Sequence, residues 1–148
     1  EFTSIGASNL AGTLAEMQTK FTEIVRVPTH GYTLPEFTRG GYLGAHETQR
    51  QFYLELTTNP TVMADLQAVK AYESRLTPHI YTISFIDEQP AINDGQTLQL
   101  YPIEDDLKVP LLAIIPFQVL CWYIAKAKGI NLSHPIFDNF QASLKAEE

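Results

Sequence analysis

The sequence predicts an α/β fold, in which a mostly parallel sheet of about five strands carries helices on both faces. Two observations support this prediction. Short runs with the twofold alternation of strands take turns with longer runs in which apolar residues recur every three or four positions. The chain has 148 residues, of which 45% are hydrophobic, and this suits one compact domain with a substantial core. We therefore treat residues 1–148 as a single domain.

The amino-terminal segment predicts a strand followed by a helix. The stretch EFTSIGAS, residues 1–8, predicts a short strand that ends at Gly6. Ser8 or Asn9 can cap a helix that runs to about Val25. Apolar side chains recur along this helix at steps of four and three, which predicts one stripe that faces the core. The members of this stripe are Leu10, Leu14, Met17, Phe21 and Ile24.

The middle of the chain predicts an extended segment, a helical turn and a second strand. The stretch RVPTHGYTL is extended because Pro28 disfavours a helix before it. A short helical turn around residues 35–37 then meets Gly40 and Gly41, and this glycine pair stops it. The stretch RQFYLELT that follows alternates as a strand does.

The carboxyl-terminal half repeats the alternation of helix and strand. Pro60 fits the first turn of a helix over residues 61–75. Four side chains of this helix are expected to point inward: Val62, Leu66, Val69 and Tyr72. The stretches HIYTISF and TLQLYPI predict two more strands, and the polar loop DEQPAINDGQ lies between them.

The last predicted helix, residues 110–128, is apolar on nearly every side, and Gly129 closes it in the left-handed conformation. Its most apolar run, residues 109–124, is short for a bilayer and contains Pro116, so we expect a buried helix and no membrane association. A tail, residues 131–148, follows.

The order of elements indicates a three-layer domain of the flavodoxin-like or Rossmann-like class. Ligands in that class bind beyond the carboxyl ends of the strands. We therefore expect a site in the loops after Gly6, near residues 30–41 and after Phe85.

The charge and cysteine content narrow the class of protein further. A net charge of −7 and a pI near 5.0 argue against a nucleic-acid-binding protein, which would normally carry a basic face. The single cysteine, Cys121, lies in an apolar run and indicates a buried thiol in a reducing compartment, so we expect a cytoplasmic protein. The chain starts at Glu1 without a methionine or a signal peptide, which suggests a piece of something longer.

Three charged residues on the first helix form the leading candidate site. Glu16, Lys20 and Glu23 follow one another at steps of four and three, beside the apolar stripe. One interpretation is a solvated ladder of ion pairs, each worth about 0.3–0.5 kcal/mol. The other is that a glutamate at the margin of a cleft, with a lysine one turn away, acts as a general base.

Two loops add further candidates. The stretch GASNLAG contains Gly6, Ser8 and Asn9, and its backbone amides could receive a phosphate or a sugar hydroxyl, although a simple tight turn fits equally well.

The stretch EFTRGGYLGAHE places Glu36, Arg39 and His46 within a few residues, and it is either a flexible surface connection or part of a site. His46 and Glu47 resemble the start of a zinc motif, but no second histidine follows four residues later, so we expect no metal. No Gly-x-Ser-x-Gly elbow is present, and nucleophilic hydrolysis has no support.

The stretch LAEMQTKFTEIVRVPTHGYTLPEFTRGGY, taken as a unit, resembles the sugar isomerase (SIS) domain family. It particularly resembles the second SIS domain of glucosamine-fructose-6-phosphate aminotransferase, of the fructosamine-phosphate deglycases and of related phosphosugar isomerases. There, a helix with the pattern E-x-x-x-K-x-x-E precedes a loop with the pattern E-[LF]-x-H-G-P. The final helix, its K-G-x-[ND] turn and the following proline are also similar, so the resemblance covers essentially the whole chain.

This resemblance implies a phosphosugar site that lies between two SIS domains and is completed across a homo-oligomer, a dimer or tetramer, without a metal or a cofactor. Glu23 would move a proton between adjacent sugar carbons, and Lys20 would orient the Glu23 carboxylate. The loop residue in the histidine position, from the neighbouring subunit, would assist ring opening. The expected substrate-binding residues are Gly6, Ser8, Asn9, Glu16, Glu36 and Arg39.

The sequence departs from the family pattern in three places. Arg39 stands at the histidine position and stays protonated, and His46 is the expected substitute. After Pro135 the tail lacks the P-R-N-L-A-K motif of the aminotransferases. The Ser/Thr-rich phosphate loop of a first SIS domain is also missing from these residues.

Two functional hypotheses follow. The first is the second SIS domain of a phosphosugar isomerase or deglycase that acts on a ketose- or amino-sugar 6-phosphate, with Glu23 as the base. The alternative is a non-catalytic SIS module that binds or senses a phosphosugar.

Overall fold

A computed structural model of the protein describes residues 1–85, 95–134, 136–137, 139–140 and 143. Most of the predicted polar loop and part of the predicted tail therefore lie outside the described residues. The strands are β1 (Phe2–Gly6), β2 (Thr29–Thr33), β3 (Arg50–Glu55), β4 (Ile80–Ser84) and β5 (Thr97–Gln99). The helices are α1 (Ala11–Lys20), α2 (Leu34–Arg39), α3 (Pro60–Glu73) and α4 (Val109–Ala127).

The described strands form one parallel sheet in the order β2-β1-β3-β4-β5. This confirms the predicted α/β class. Successive residues of a strand point to opposite faces, so β1 and β3 supply both cores of the domain. On one face α1 and α4 cover an aromatic cluster in which Phe2, Phe21, Phe52 and Phe117 make ring contacts. On the other face α2 and α3 cover a smaller cluster that includes Ile5, Leu34, Phe37, Tyr53 and Leu66.

The first helix differs from its prediction at both ends. Among the described residues, neither Ser8 nor Asn9 caps α1 with its side chain, because the chain enters α1 through a 3₁₀ turn at Ser8–Leu10 that already contains both residues. After Lys20 the helix widens into a π turn, Phe21–Val25. This turn ends at Arg26, which adopts the left-handed conformation with φ 59°.

The last helix corrects the prediction of a buried helix. One stripe, at steps of four residues, is buried against α1 and the sheet: Val109, Ala113, Phe117, Cys121 and Ala125. The remaining apolar side chains are largely exposed, among them Leu111, Ile115, Val119, Trp122 and Tyr123. By length and composition alone α4 could cross a bilayer, yet its buried stripe joins the aromatic core, as in the core helix of an α/β domain. Gly129 closes the helix with φ 69°, as predicted.

The third helix turns a different residue inward than the apolar pattern predicts. Leu66 is fully buried, but Tyr72 is 51% exposed and Glu73 is fully buried in its place. The carboxylate of Glu73 accepts a hydrogen bond from Nε2 of Gln51 at 2.9 Å. This polar partner lies on β3, so the helix period does not reveal it. The predicted strand TLQLYPI shortens to β5.

Gly31 allows β2 to lie against α1. A Cβ atom at this position would stand 2.4 Å from the carbonyl oxygen of Leu14. The amide of Gly31 also donates a hydrogen bond to Oε1 of Gln18 on α1 at 3.1 Å. A side chain larger than hydrogen would push α1 away from the sheet, and α1 carries the candidate site.

Candidate functional site

The charged triple of α1 forms a connected group of ion pairs. The ammonium of Lys20 lies 3.4 Å from Oε2 of Glu23 and 3.7 Å from Oε1 of Glu16. These two carboxylates raise the pKa of Lys20, with Glu16 the larger cause, so the lysine is a cation at neutral pH. Lys20 is one-third exposed and Glu23 is 61% exposed. The lysine can hold and orient a carboxylate, but it cannot accept a proton.

Glu23 stands in the π turn, which differs locally from a regular helix. The amide of Arg26 donates to the carbonyl of Phe21, five residues earlier, at 3.0 Å. The carbonyl of Val25, at the end of this turn, accepts a hydrogen bond from the ammonium of Lys128 at 2.8 Å. Single π turns inside α-helices occur frequently at functional sites. The base candidate is thus tied through Val25 to the end of α4.

The loop after β1 lies at the opposite end of α1, at the carboxyl edge of the sheet. Gly6 is closely packed, since a Cβ atom there would lie 3.2 Å from the side chain of Leu10 and 3.3 Å from that of Leu54. The side-chain amide of Asn9 donates to the carbonyl of Asp106 at 3.3 Å. The carboxylate of Asp106 accepts from the amide and hydroxyl of Thr58, both at 3.1 Å. This edge therefore carries a carboxylate, which disfavours a bound phosphate.

The predicted loop site at residues 36–46 is divided by the structure. The carboxylate of Glu36 accepts from the amide of Thr33 at 2.8 Å and from its hydroxyl at 2.7 Å, which completes a capping box at the start of α2. These bonds lower the pKa of Glu36. Arg39 ends α2 with an exposed side chain. Substrate binding by Glu36 stays a prediction, and in this chain its carboxylate is engaged in capping.

His46 lies at the amino-terminal edge of the sheet, near the first residue of the chain. Its Nε2 is 3.7 Å from Oε2 of Glu1, and its Nδ1 is 3.2 Å from the hydroxyl of Thr48. Among the described residues, no hydrogen bond or ion pair joins His46 to Lys20 or Glu23. Where the structure describes the chain, it also shows no group of three or more metal-ligating side chains.

The structure thus brings Glu16, Lys20 and Glu23 together, as their spacing predicted. It leaves the other predicted site residues in three separate places, with Glu36 on α2 together with Arg39. Gly6, Ser8 and Asn9 lie at the carboxyl edge, Arg39 lies at the end of α2, and His46 lies beside Glu1.

Comparisons with known proteins bear on this arrangement. No protein-family profile matches the chain. The isomerizing glutamine–fructose-6-phosphate aminotransferase of Synechocystis is 25% identical to it over 118 residues, which cover 78% of the chain and 18%, about a fifth, of the relative. A similar match to the same enzyme of Thermosynechococcus vestitus has 26% identity. Among solved structures, a protein of Clostridium difficile 630 assigned as a phosphosugar isomerase superposes on 97% of the chain with a TM-score of 0.83 and 23% identity.

In sequence and in fold the chain is similar to an SIS domain related to these aminotransferases. A protein of Salmonella typhimurium LT2 assigned as sugar-binding also matches 82% of it, with a TM-score of 0.70 and 26% identity. The chain spans 38% of the Clostridium protein and 36% of the Salmonella protein, so these relatives are much longer than the described domain. The agreement between fold and sequence confirms the predicted SIS resemblance.

The domain also contains a buried polar network that the sequence patterns did not reveal. The ammonium of Lys70 pairs with the buried carboxylate of Glu55 at the end of β3, and it lies 3.4 Å from the hydroxyl of Thr82. Beside this pair, Tyr53 donates to Oε1 of Gln51 at 2.9 Å. Charged residues spaced fifteen apart on a helix and a strand give no local periodic signal. The polar residues Gln51 and Glu55, on either side of the apolar run of β3, were the available indication.

Proposed function

We propose that this domain is the second of two SIS domains in a protein that processes a ketose- or amino-sugar 6-phosphate, and that Glu23 is its general base. Either isomerisation or deglycation would use the same first step, removal of a proton from the carbon next to the carbonyl. The observation that supports the proposal is the Glu16–Lys20–Glu23 group, with the lysine ammonium 3.4 Å from the Glu23 carboxylate.

The roles within the group follow from charge. A general base needs a group that holds its carboxylate in position, and the ammonium of Lys20 lies 3.4 Å from Oε2 of Glu23. Lys20 itself stays charged because Glu16 and Glu23 both raise its pKa. It is therefore a positioning residue, and the developing negative charge of an enediolate would lie within reach of the same cation. Glu16 holds Lys20 from the other side at 3.7 Å.

The exposure of Glu23 indicates what is needed to complete the site. A base that removes a proton from carbon works best where water is excluded, yet Glu23 is 61% exposed in this domain. The phosphate-binding loop and the walls around Glu23 would come from a preceding SIS domain. The functions assigned to the relatives, aminotransferase and phosphosugar isomerase, agree with such an assembly.

A second candidate function rests on Arg39. An arginine cannot exchange a proton at neutral pH, so it can bind an anion but cannot open a sugar ring by acid–base catalysis. His46 is held by Glu1 and Thr48 away from α2. If neither residue serves the ring oxygen, the domain binds a phosphosugar without turnover, as a sensing module.

The test is proton exchange catalysed by the longer protein that contains these residues. Fructose 6-phosphate and glucosamine 6-phosphate are incubated in D₂O, and NMR follows deuterium entry at the carbon next to the carbonyl. We expect exchange in the wild type and a loss of at least about 10²-fold in Glu23→Gln, the loss typical for a missing general base. Isothermal titration should show that the variant still binds the sugar phosphate.

Asp65→Asn is the matched control, because it also neutralises one exposed carboxylate but lies on α3, on the opposite face of the sheet. It should leave the exchange rate unchanged. Exchange that persists in Glu23→Gln within about threefold would exclude the base assignment. Saturable binding without exchange in the wild type would instead identify the sensing module.

A further inference from the structure

The π turn that contains Glu23 ends in an arginine with a left-handed backbone. Arg26 has φ 59° and ψ 50°, and its amide closes the turn on the carbonyl of Phe21. Glycine is the usual residue in this position, because an L-residue there brings its Cβ atom close to the following carbonyl oxygen. The same chain closes α4 with Gly129 at φ 69°. An arginine at the end of the π turn therefore strains the backbone, and strain of this kind concentrates at functional sites.

The side chain of Arg26 also contains an unsatisfied donor. Its Nε atom is buried and makes no hydrogen bond within the part of the chain that the structure describes. The two terminal nitrogens are not buried without a partner in this way, and the residue as a whole is partly exposed. A buried N–H group without an acceptor destabilises the folded protein. The missing acceptor indicates that a ligand supplies one.

Two neighbouring cations are already engaged inside the domain. Lys20 pairs with both carboxylates of its own group. The ammonium of Lys128 donates to the carbonyl of Val25, the residue just before Arg26. Arg26 itself follows Glu23 in the chain by about one helical turn. It is therefore a cation close to the base candidate that still has a donor for an anion.

A cation beside the base bears on the group that the substrate carries at C1. In the proposed function Glu23 removes a proton from the carbon next to the carbonyl, which is C1 of a ketose derivative. The phosphate lies at C6, the other end of the sugar, and its binding loop is expected in a preceding SIS domain. In a simple ketose 6-phosphate the group on C1 is a neutral hydroxyl. In a fructosamine 6-phosphate it is an amine, which can belong to an amino acid and so bring a carboxylate.

We propose that Arg26 determines substrate specificity by binding a carboxylate on the group attached to C1, so that the domain favours a sugar phosphate joined to an amino acid over a simple ketose phosphate. This inference rests on the proposed function, in which Glu23 acts at C1. A guanidinium pairs with a carboxylate through two parallel hydrogen bonds. In such a conjugate only the nitrogen and one carbon separate the carboxylate from C1.

The chemistry of such a conjugate uses the same base. Glu23 moves a proton from C1 to C2 while the amine proton passes to the C2 oxygen, which leaves a C1=N imine. Water then hydrolyses the imine to an aldose 6-phosphate and the free amino acid. Arg26 takes no part in these proton transfers, because an arginine stays protonated at neutral pH. Its role is to select and orient the conjugate.

The test measures binding, so it applies whether or not the domain turns its ligand over. The longer protein that contains these residues is titrated calorimetrically with 1-deoxyfructose 6-phosphate joined at C1 to glycine or to glycinamide. The two conjugates differ in a carboxylate against a neutral amide of the same shape. We expect the wild type to bind the glycine conjugate at least about tenfold more tightly, because hydrogen bonds between charged groups are the stronger ones. Arg26→Gly should reduce this preference to less than about threefold.

Arg26→Gly also guards against unfolding, because a backbone at φ 59° suits glycine. Arg75→Gln is the matched control. It removes one positive charge as well, but Arg75 is an exposed residue that follows α3 and lies over the ring of Tyr72. It should leave the preference for the glycine conjugate unchanged.

Three results would overturn the assignment of Arg26. The first is equal affinity of the wild type for both conjugates, and the second is a preference that Arg26→Gly leaves intact. The third is an equal loss of affinity for both conjugates in Arg26→Gly, because the arginine then binds the phosphate that they share. Proton exchange that depends on Glu23 would leave the proposed function standing in all three cases. A preference that Arg26→Gly removes supports the assignment even if the wild type shows no proton exchange.

Discussion

The two faces of the sheet are closed in different ways. Under α2 and α3 the side chains of β3 are polar as well as apolar, and Gln51 and Tyr53 are bonded to each other beneath Glu73. Under α1 and α4 the same strand contributes Phe52 to an aromatic cluster. The first face combines an apolar cluster with directional hydrogen bonds between buried side chains, whereas the second is held mainly by aromatic packing and leaves one side of α4 exposed.

The difference separates a face whose polar side chains are bonded within the domain from a face that leaves charged and apolar side chains exposed. The charged triple and the exposed side of α4 both belong to the face of α1 and α4. Glu23 is exposed there, and so is Val119. The face of α2 and α3 carries an internally bonded network that needs no further partner for Lys70 and Glu55. We expect mutations to separate the two faces by both the size and the pH dependence of their effects.

The largest expected effect breaks the packed part of the aromatic face. Phe117→Ala removes a fully buried ring that touches Phe21 and Phe52. It should lower the free energy of unfolding by about 3–5 kcal/mol in urea titrations of the 148-residue chain. Val119→Ala, two residues along on the open side of the same helix, should cost less than about 1 kcal/mol. Equal costs would mean that the exposed side of α4 is packed as tightly as the buried stripe.

A smaller effect is expected where α1 approaches β2. Gly31→Ala would place a Cβ atom 2.4 Å from the carbonyl oxygen of Leu14, and we expect a loss of about 1–3 kcal/mol in the free energy of unfolding. Gly12→Ala is the matched control, since nothing lies within 4 Å of a Cβ atom there and the helix should gain up to about 1 kcal/mol. Thermal unfolding of both variants checks the prediction. A neutral Gly31→Ala would contradict the close approach.

On the hydrogen-bonded face, the first turn of α2 should respond to loss of its cap. Thr33→Ala removes the hydroxyl of the capping box and should cost about 1 kcal/mol in urea titrations. Thr19→Ala serves as the control, because the Thr19 hydroxyl bonds only to a carbonyl of its own helix, that of Ala15. It should change the free energy of unfolding by less than about 0.5 kcal/mol. If both substitutions cost the same, the capping box is not a specific contribution.

The last prediction concerns the pH dependence of stability. The expected difference in the free energy of unfolding between Glu73→Gln and the wild type is close to zero in acid. Burial raises the pKa of Glu73 above its ordinary value of 4.5, and Gln51 opposes this less strongly. The folded protein then holds the proton more tightly than the unfolded chain, so this contribution to stability is fully present below pH 4.5 and is lost as pH rises through the folded-state pKa. Glu73→Gln should match the wild type in acid and become relatively more stable as pH rises, which urea titrations at a series of pH values can measure.

Glu36→Gln provides the opposite trend as a control. Bonds from Thr33 lower the pKa of Glu36, so its contribution is present above the unfolded-state pKa and is lost as pH falls. The penalty of Glu36→Gln should therefore shrink in acid. Parallel pH profiles for the two variants would contradict the assignment of opposite shifts.

Much of the fold could be predicted because each strand and helix carries its own period. The first helix, the glycine stop after α2 and the left-handed Gly129 all follow from local residue types. The side of α4 that is buried could not be predicted, since a helix that is apolar all round contains no polar face to exclude. The burial of Glu73 in place of Tyr72 could not be predicted either, because the hydrogen-bond partner of Glu73 is the distant Gln51.

The candidate site was predictable to the extent that it is local. Steps of four and three bring Glu16, Lys20 and Glu23 together on any helix, and the structure shows both ion pairs. The relation of this group to residues of other loops depends on tertiary packing. The π turn at Glu23 carries no sequence signal. Neither does the hydrogen bond that Lys128 donates to the carbonyl of Val25 in this turn, because the two residues are 103 positions apart.

The thiol of Cys121 makes the opening of the aromatic face measurable. It is the single cysteine of the chain, it is fully buried on the stripe that α4 turns toward α1, and burial raises its pKa to about 12. A thiol reagent can reach it only during excursions in which α4 lifts off the domain. The rate of thiol labelling therefore measures how often Cys121 becomes exposed, without any engineered probe.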